Sequence, residues 1–271
     1  MPRPRIHDPE RLLDVAERLI ADVGPEEVTV RGLAVAAGVP NSTIYHSFGS
    51  LPALIGRAWL RGAGYFLDVQ TQLVEQALAG GGPLAAPDGG VGLPAPAGVA
   101  GGADLTAAAE AVGAAALPLV GGVVGAAGLP VVGGAVSAAD SPAVAAVVAA
   151  ADTSAVVAEL RPEAARLMLT VSPDRILGPQ LPEDVLEDLH ALDKRLVRLL
   201  VRLARELWQR GDGAAVEVIT TCVVDLPTAL LKRDLAAYGA AGPETRRRLA
   251  AAVRAVLALP PPDRPRRAST G

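Results

Sequence analysis

The sequence predicts an all-α protein: an N-terminal three-helix domain holding a helix-turn-helix, a larger C-terminal helical domain, and a low-complexity insertion between them. Three observations carry this. Residues 28–55, VTVRGLAVAAGVPNSTIYHSFGSLPALI, read as two short helices joined at a glycine and followed by a third helix start. Val185, Leu189, Leu192, Leu196, Leu199, Leu203 and Leu207 keep steps of four and three residues over about six turns. Nowhere does the chain alternate strand and helix patterns.

The first helix is expected from Asp8, as cap, and Pro9, as first helical residue, to Val23, with Gly24 ending it and Leu12, Ala16, Leu19 and Val23 as its apolar stripe. Thr29 can cap the second, whose Leu33, Ala36 and Ala37 recur at helical spacing, and Gly38 supplies a permissive turn. The third, about Asn41 to Phe48, divides in two: Asn41, Ser42, Thr43, Tyr45 and His46 carry hydrogen-bonding groups, while Val39, Ile44 and Phe48 can pack inward. That division suits a helix with one face on its scaffold and the other against base edges and phosphates in a major groove.

These residues give the segment its resemblance to the DNA-binding domain of TetR-family transcriptional regulators. The match is closest at Thr29, Ala36-Ala37-Gly38-Val39 and Thr43-Ile44-Tyr45-His46, with Phe48 and Ser50 following. The resemblance implies a phosphate contact at Thr29 and places Tyr45 and His46 at the DNA surface; Arg31, Asn41, Ser42, Thr43 and Ser50 complete the expected DNA-binding set. The LacI type shares the threonine, the Ala-Ala-Gly-Val turn and a Ser-Thr pair, but lacks the Tyr-His-x-Phe ending and continues into an α/β domain. Two positions depart from the TetR pattern. Pro40 stands where a side-chain cap is usual, and Leu51 where a lysine commonly reaches a phosphate. The arm from Met1 to His7 carries Arg3 and Arg5, which either enter the minor groove or belong to a frayed terminus. Residues 1–50 hold five arginines against seven acidic side chains, so specificity must come from a local surface instead of bulk charge.

A fourth helix is expected over 51–78, with Leu54, Trp59, Tyr65, Phe66 and Leu73 along it. In TetR-like proteins it connects the DNA-binding domain, here 1–50, to the regulatory core. From 79 to 152 the composition becomes Ala, Gly, Val, Pro and Leu; 16 of the 29 glycines lie between Gly80 and Gly134, and no lysine or arginine occurs between Arg61 and Arg161. Residues 111–139 carry no charge, which by length alone suggests a membrane span. Pro118, Pro130, the glycines and the lack of an aromatic belt or flanking cations argue against one, so no membrane partner is expected and the segment is taken as a disordered or loosely helical insertion. Removing its 73 residues, 79–151, from 271 leaves 198, about the usual length of a TetR-family regulator.

Helical patterning is expected to resume at Thr153, opening a domain from 153 to 259. Its first helix spans about Ser154 to Val171, and a proline-containing connection, SPDRILGPQLP, leads into the leucine-rich helix, which Gly211 and Gly213 end. Two more follow, about Ala214 to Tyr238 and Pro243 to Leu259, before a tail over 260–271 taken as disordered. The resemblance implies that this last pair builds a homodimer interface, with Val216, Ile219, Val223, Leu226, Leu230, Leu249, Val253 and Val256 as its apolar positions; burial within one subunit is the alternative. A dimer would place two recognition helices roughly 34 Å apart on a palindromic double-stranded DNA operator.

Other classes find less support. A net charge of -4 argues against indiscriminate nucleic-acid coating. One cysteine, Cys222, excludes an intramolecular disulfide and fits a reducing cytoplasm, and the first ten residues lack the apolar run of a secretory signal. His7, His46 and His190 share no metal-ligand spacing with each other or with Cys222, and no Gly-Lys-Ser or Gly-Lys-Thr makes a phosphate loop. No catalysis, metal or cofactor is expected. The resemblance implies instead a small-molecule effector that releases the DNA, hence a repressor more readily than an activator. With five of the seven aromatic residues between positions 45 and 66, an aliphatic pocket for a lipophilic effector is expected, walled by Tyr65, Phe66, Met168, Leu192 and Trp208, unless these simply fill core. A helical interaction scaffold without specific DNA binding is the other reading.

Overall fold

The computed structural model describes residues 9–80, 141–171 and 181–262. Over these the chain is helical, with no strand. Helices α1 (Pro9–Val23), α2 (Val30–Ala37), α3 (Asn41–Phe48) and α4 (Leu51–Leu78) follow the expected bounds. After them come α5 (Pro142–Leu160), α6 (Pro162–Thr170), α7 (Glu183–Trp208), α8 (Gly213–Thr220), a π-helical turn (Thr221–Asp225), α9 (Leu226–Tyr238) and α10 (Pro243–Leu257). The insertion between 81 and 140, the caps and arm at Asp8, Arg3 and Arg5, His7, the connection over 172–180 and the tail from 263 lie outside the described residues.

Two apolar clusters share α4 as their common wall. The first joins Leu12, Ala16 and Ile20 of α1, Leu33 of α2, Ile44 and Phe48 of α3, and Leu54 and Trp59 of α4, and it extends to Leu167 of α6 and Val185 and Leu189 of α7. The N-terminal helices are therefore packed into the rest of the chain. The second cluster takes Leu67 and Val74 from the far half of α4, most of α5, the C-terminal half of α7, and α8 to α10.

Helix α5 corrects the expected end of the insertion, since it begins at Pro142 instead of Thr153. Ser141 caps it, its hydroxyl accepting from the Val144 N–H at 3.2 Å, and Pro142 opens it. Alanine and valine on every side leave no amphipathic period to recognise, because the helix is surrounded by α4, α6, α7, α9 and α10. The single helix expected from Ser154 to Val171 is two, broken at Arg161 before Pro162. Gly211 and Gly213 do not end α7 either. Gln209 does so in the left-handed conformation at φ 55, and Gly213 instead starts α8, which Asp212 caps.

Three arginine–carboxylate pairs join α4 to α7: Arg57 with Asp184, Asp68 with Arg195, and Glu75 with Arg202. Every pair is separated by 127 residues, so the two helices run parallel in one register. Helices α5 and Gly213–Leu235 are long and apolar enough to cross a membrane by length and composition; both contribute to the buried core.

Candidate nucleic-acid interface

The Thr29 side chain accepts a hydrogen bond from the Gly32 N–H at 3.0 Å and so fixes the start of α2. Gly38 ends it at φ 67 and turns the chain, with its N–H bonded to the Val35 carbonyl and the Val39 N–H bonded to that of Ala34. Gly49, at φ 77, ends α3 after eight residues, and the Ser50 hydroxyl accepts from the Ala53 N–H at 3.2 Å to open α4. Pro40 stands at the α3 start with no side-chain cap, as its chemistry requires.

Within this frame Leu33, Ala37, Ile44 and Phe48 face the core. Thr29, Arg31, Asn41, Ser42, Tyr45 and His46 are exposed, and Thr43 and Ser50 are half-buried. Tyr45 keeps 53% of its surface, a large exposure for an aromatic side chain on a short helix. Arg31 and Asn41 line one shallow groove of about 710 Å³ with Ala34, Val35, Gly38, Val39 and Pro40. Val35, 76% exposed, was not singled out from sequence, although its place opposite Leu33 and Ala37 on α2 could have marked it. Thr29 and Ser50 use oxygen lone pairs for capping, which leaves their hydroxyl protons available to an acceptor.

The acidic count of the N-terminal segment has a structural answer. Glu10, Asp14 and Glu17 of α1 all bind Arg61 of α4, at 2.9, 2.7 and 2.7 Å, and Asp22 binds Arg166 of α6 at 2.8 Å. Glu17, only 2% exposed, also takes a hydrogen bond from Arg161 at 2.9 Å. Burial disfavours the Arg61 cation, but its bonds to Glu17, Glu10 and Asp14 outweigh this and raise its pKa above the ordinary arginine value. Four of the seven acidic side chains are thus held by arginines from beyond residue 50, on the side of α1 that meets α4 and α6. Sequence reading missed this set because the partners lie 44 to 144 residues apart. The available signal was Glu17 itself, a carboxylate within the buried stripe of Leu13, Ala16 and Ile20.

The expected effector pocket is not gathered as one site. Tyr65, Phe66 and Trp208 pack on the C-terminal cluster, Met168 on the N-terminal one and Leu192 on both. Leu192 and Trp208 lie sixteen residues apart on α7, about 24 Å along its axis, too far to wall one small cavity. The more enclosed of the two described cavities, about 580 Å³, is lined by Leu78, Ser141, Pro142, Ala143, Arg202, Glu206 and Leu207 and includes none of the five. Of the apolar positions assigned to a dimer face, Val216, Ile219, Val223, Leu249 and Val253 are buried inside the subunit, leaving Leu226, Leu230 and Val256 partly exposed. His46 and His190 are exposed and separate, and among the described residues no group of three or more His, Cys, Asp or Glu side chains could hold a metal ion.

A glycine-turned helix pair with its polar face outward and its apolar face anchored on α1 and α4 is a helix-turn-helix, and the family match makes it that of a DNA-binding transcriptional regulator. Residues 12–57 match the family described as bacterial regulatory proteins, tetR family, a span that covers α2, α3, most of α1 and the start of α4. This N-terminal domain belongs to the TetR family. No curated protein matches the chain.

Proposed function

We propose that the protein is a cytoplasmic homodimeric repressor that binds a palindromic operator in double-stranded DNA and leaves it when a small lipophilic effector binds the C-terminal core. The observation that carries this reading is the outward face of α3, where Asn41, Ser42, Tyr45 and His46 are exposed while Ile44 and Phe48 anchor the helix from behind. Arg31 and Thr29 at the start of α2 add a cation and a hydroxyl beside it, for phosphate and base contacts. Arg3 and Arg5 are assigned to the adjacent minor groove.

The dimer surface is assigned to the outer sides of α9 and α10. Leu226, Leu230 and Val256 are partly exposed there, Tyr238 at the end of α9 is 81% exposed, and Leu259, just past α10, is 65% exposed. Because no described cavity gathers Tyr65, Phe66, Met168, Leu192 and Trp208, the effector is assigned to the C-terminal core as a whole and not to those five residues. The chain divides functionally into the reading domain over 1–50, the connecting helix over 51–78, and a regulatory and dimerisation domain that starts at α5.

Binding to the promoter next to the protein's own gene tests the reading. Wild-type protein should protect a symmetric site at moderate salt, and Tyr45→Ala and Thr43→Ala should each weaken binding by about 1–3 kcal/mol without loss of fold. Wild-type protein with no sequence preference would support a helical scaffold instead.

A further inference from the structure

Glu10, Asp14 and Glu17 are spaced four and three residues apart, so they form one stripe along α1, and all three converge on a single guanidinium, that of Arg61. At the buried end of the stripe Glu17 has a second partner. Arg161 stands at the break between α5 and α6, bonds the other Glu17 oxygen, and lays its guanidinium over the Tyr65 ring at 4.8 Å from the centroid. One carboxylate therefore ties α1 to α4 and to the α5–α6 corner together. A buried carboxylate stripped of one partner is strongly disfavoured, so the corner cannot move away without loosening α1.

We infer that Glu17 is a positioning residue: clasped between Arg61 and Arg161, it fixes the angle at which the DNA-binding domain sits on the regulatory core and transmits movement of the α5–α6 corner to it. This rests on the DNA-binding reading above. The angle of each reading domain sets the half-site separation that a dimer accepts, so the clasp governs spacing while the α3 side chains govern base preference. Arg166, paired with Asp22 on the next turns of α6 and α1, limits how far the two helices part.

The test uses the full chain. Wild-type protein selects its preferred duplex from a randomised pool, and affinities are then measured on that duplex and on versions with the half-sites one or two base pairs closer or farther. Arg161→Gln acts at a partly exposed site and tests the clasp with least risk to folding; Glu17→Gln keeps the side-chain shape, and Arg161→Lys keeps the charge. In Arg161→Gln and Glu17→Gln the half-site base preferences should stay as in wild type, while discrimination between spacings falls at least about fivefold, the low end of coupling between sites. Arg161→Lys should recover part of it. Hydrogen exchange of the protein alone should show α1 exchanging faster in Arg161→Gln and α3 unchanged. Wild-type spacing discrimination in Arg161→Gln overturns the inference. Should wild-type protein select no DNA, the DNA-binding reading fails instead, and exchange decides the clasp: α1 protected in Arg161→Gln as in wild type overturns it.

Discussion

The Trp59 indole Nε1 donates to the Val171 carbonyl at 3.3 Å, across 112 residues of sequence, and ties the N-terminal third of α4 to the residue that ends α6. Both groups are buried, so neither can turn to water instead. Trp59→Phe keeps an aromatic ring in the first apolar cluster but leaves the Val171 carbonyl without this donor. It should destabilise the fold by about 1–3 kcal/mol. Urea unfolding should show a lower midpoint at unchanged slope, and an unchanged midpoint would mean that the bond adds nothing net.

Gly56 and Gly64 lie on the same helix in opposite circumstances. A Cβ on Gly56 would come within 2.8 Å of Val185 Cγ1 and 2.9 Å of Leu181 Cδ2, whereas one on Gly64 would meet nothing within 4 Å. Alanine in a helix gains about 1 kcal/mol over glycine, and overpacking costs about 1–3 kcal/mol. Gly64→Ala should therefore raise the melting temperature and Gly56→Ala lower it. Movement in the same direction would show that α4 and α7 are not in close contact at Gly56.

Cys222 is fully buried, and burial followed by the nearby Asp225 charge pushes its thiol from the ordinary 9.0 up to about 12. Its thiolate is then roughly a thousandfold scarcer than that of an ordinary thiol. Iodoacetamide at pH 8.5 should leave the folded protein unmodified and alkylate it promptly in urea. Below pH 9 folded and unfolded chains both keep the proton; from 9 to about 12 only the unfolded chain releases it, so stability should fall across that window. Cys222→Ala should flatten this decline, and an identical decline in the variant would assign it to other groups.

Leu51 opens α4 directly after the Ser50 cap and is half-buried against the first cluster. Leu51→Lys puts a cation at the N-terminal end of α4, beside the C-terminal end of α3. On the proposed operator it should tighten binding and steepen the salt dependence by about 0.9 in log–log slope. An unchanged slope would place position 51 away from any phosphate.

Local chemistry made much of the interface legible. Thr29 and Gly38 act on neighbours within a few residues, and α2 accordingly begins and ends where its cap and turn predict, whereas Ser50, expected among the DNA contacts, caps α4. The leucines of α7 were equally plain, because one side of that helix stays wet. Helix α5 was hidden for the opposite reason, being apolar all round and continuous in composition with the segment before it. The Glu17 clasp and the scattering of the expected pocket depend on which distant elements meet. Arg161 carries nothing locally that separates it from a solvated cation, and its role comes from the helix break that brings it to Glu17 and Tyr65.

The constant offset of 127 residues in the three pairs between α4 and α7 has a mechanical consequence. Each pair is largely exposed and contributes at most about 1 kcal/mol, so none alone holds the helices together. Because all three share one register, however, sliding α7 along α4 by a single turn would break every rung at the same moment. The pair behaves as a notched beam. It resists graded creep along its length, and a displacement large enough to matter must either carry both helices as one body or jump a full notch.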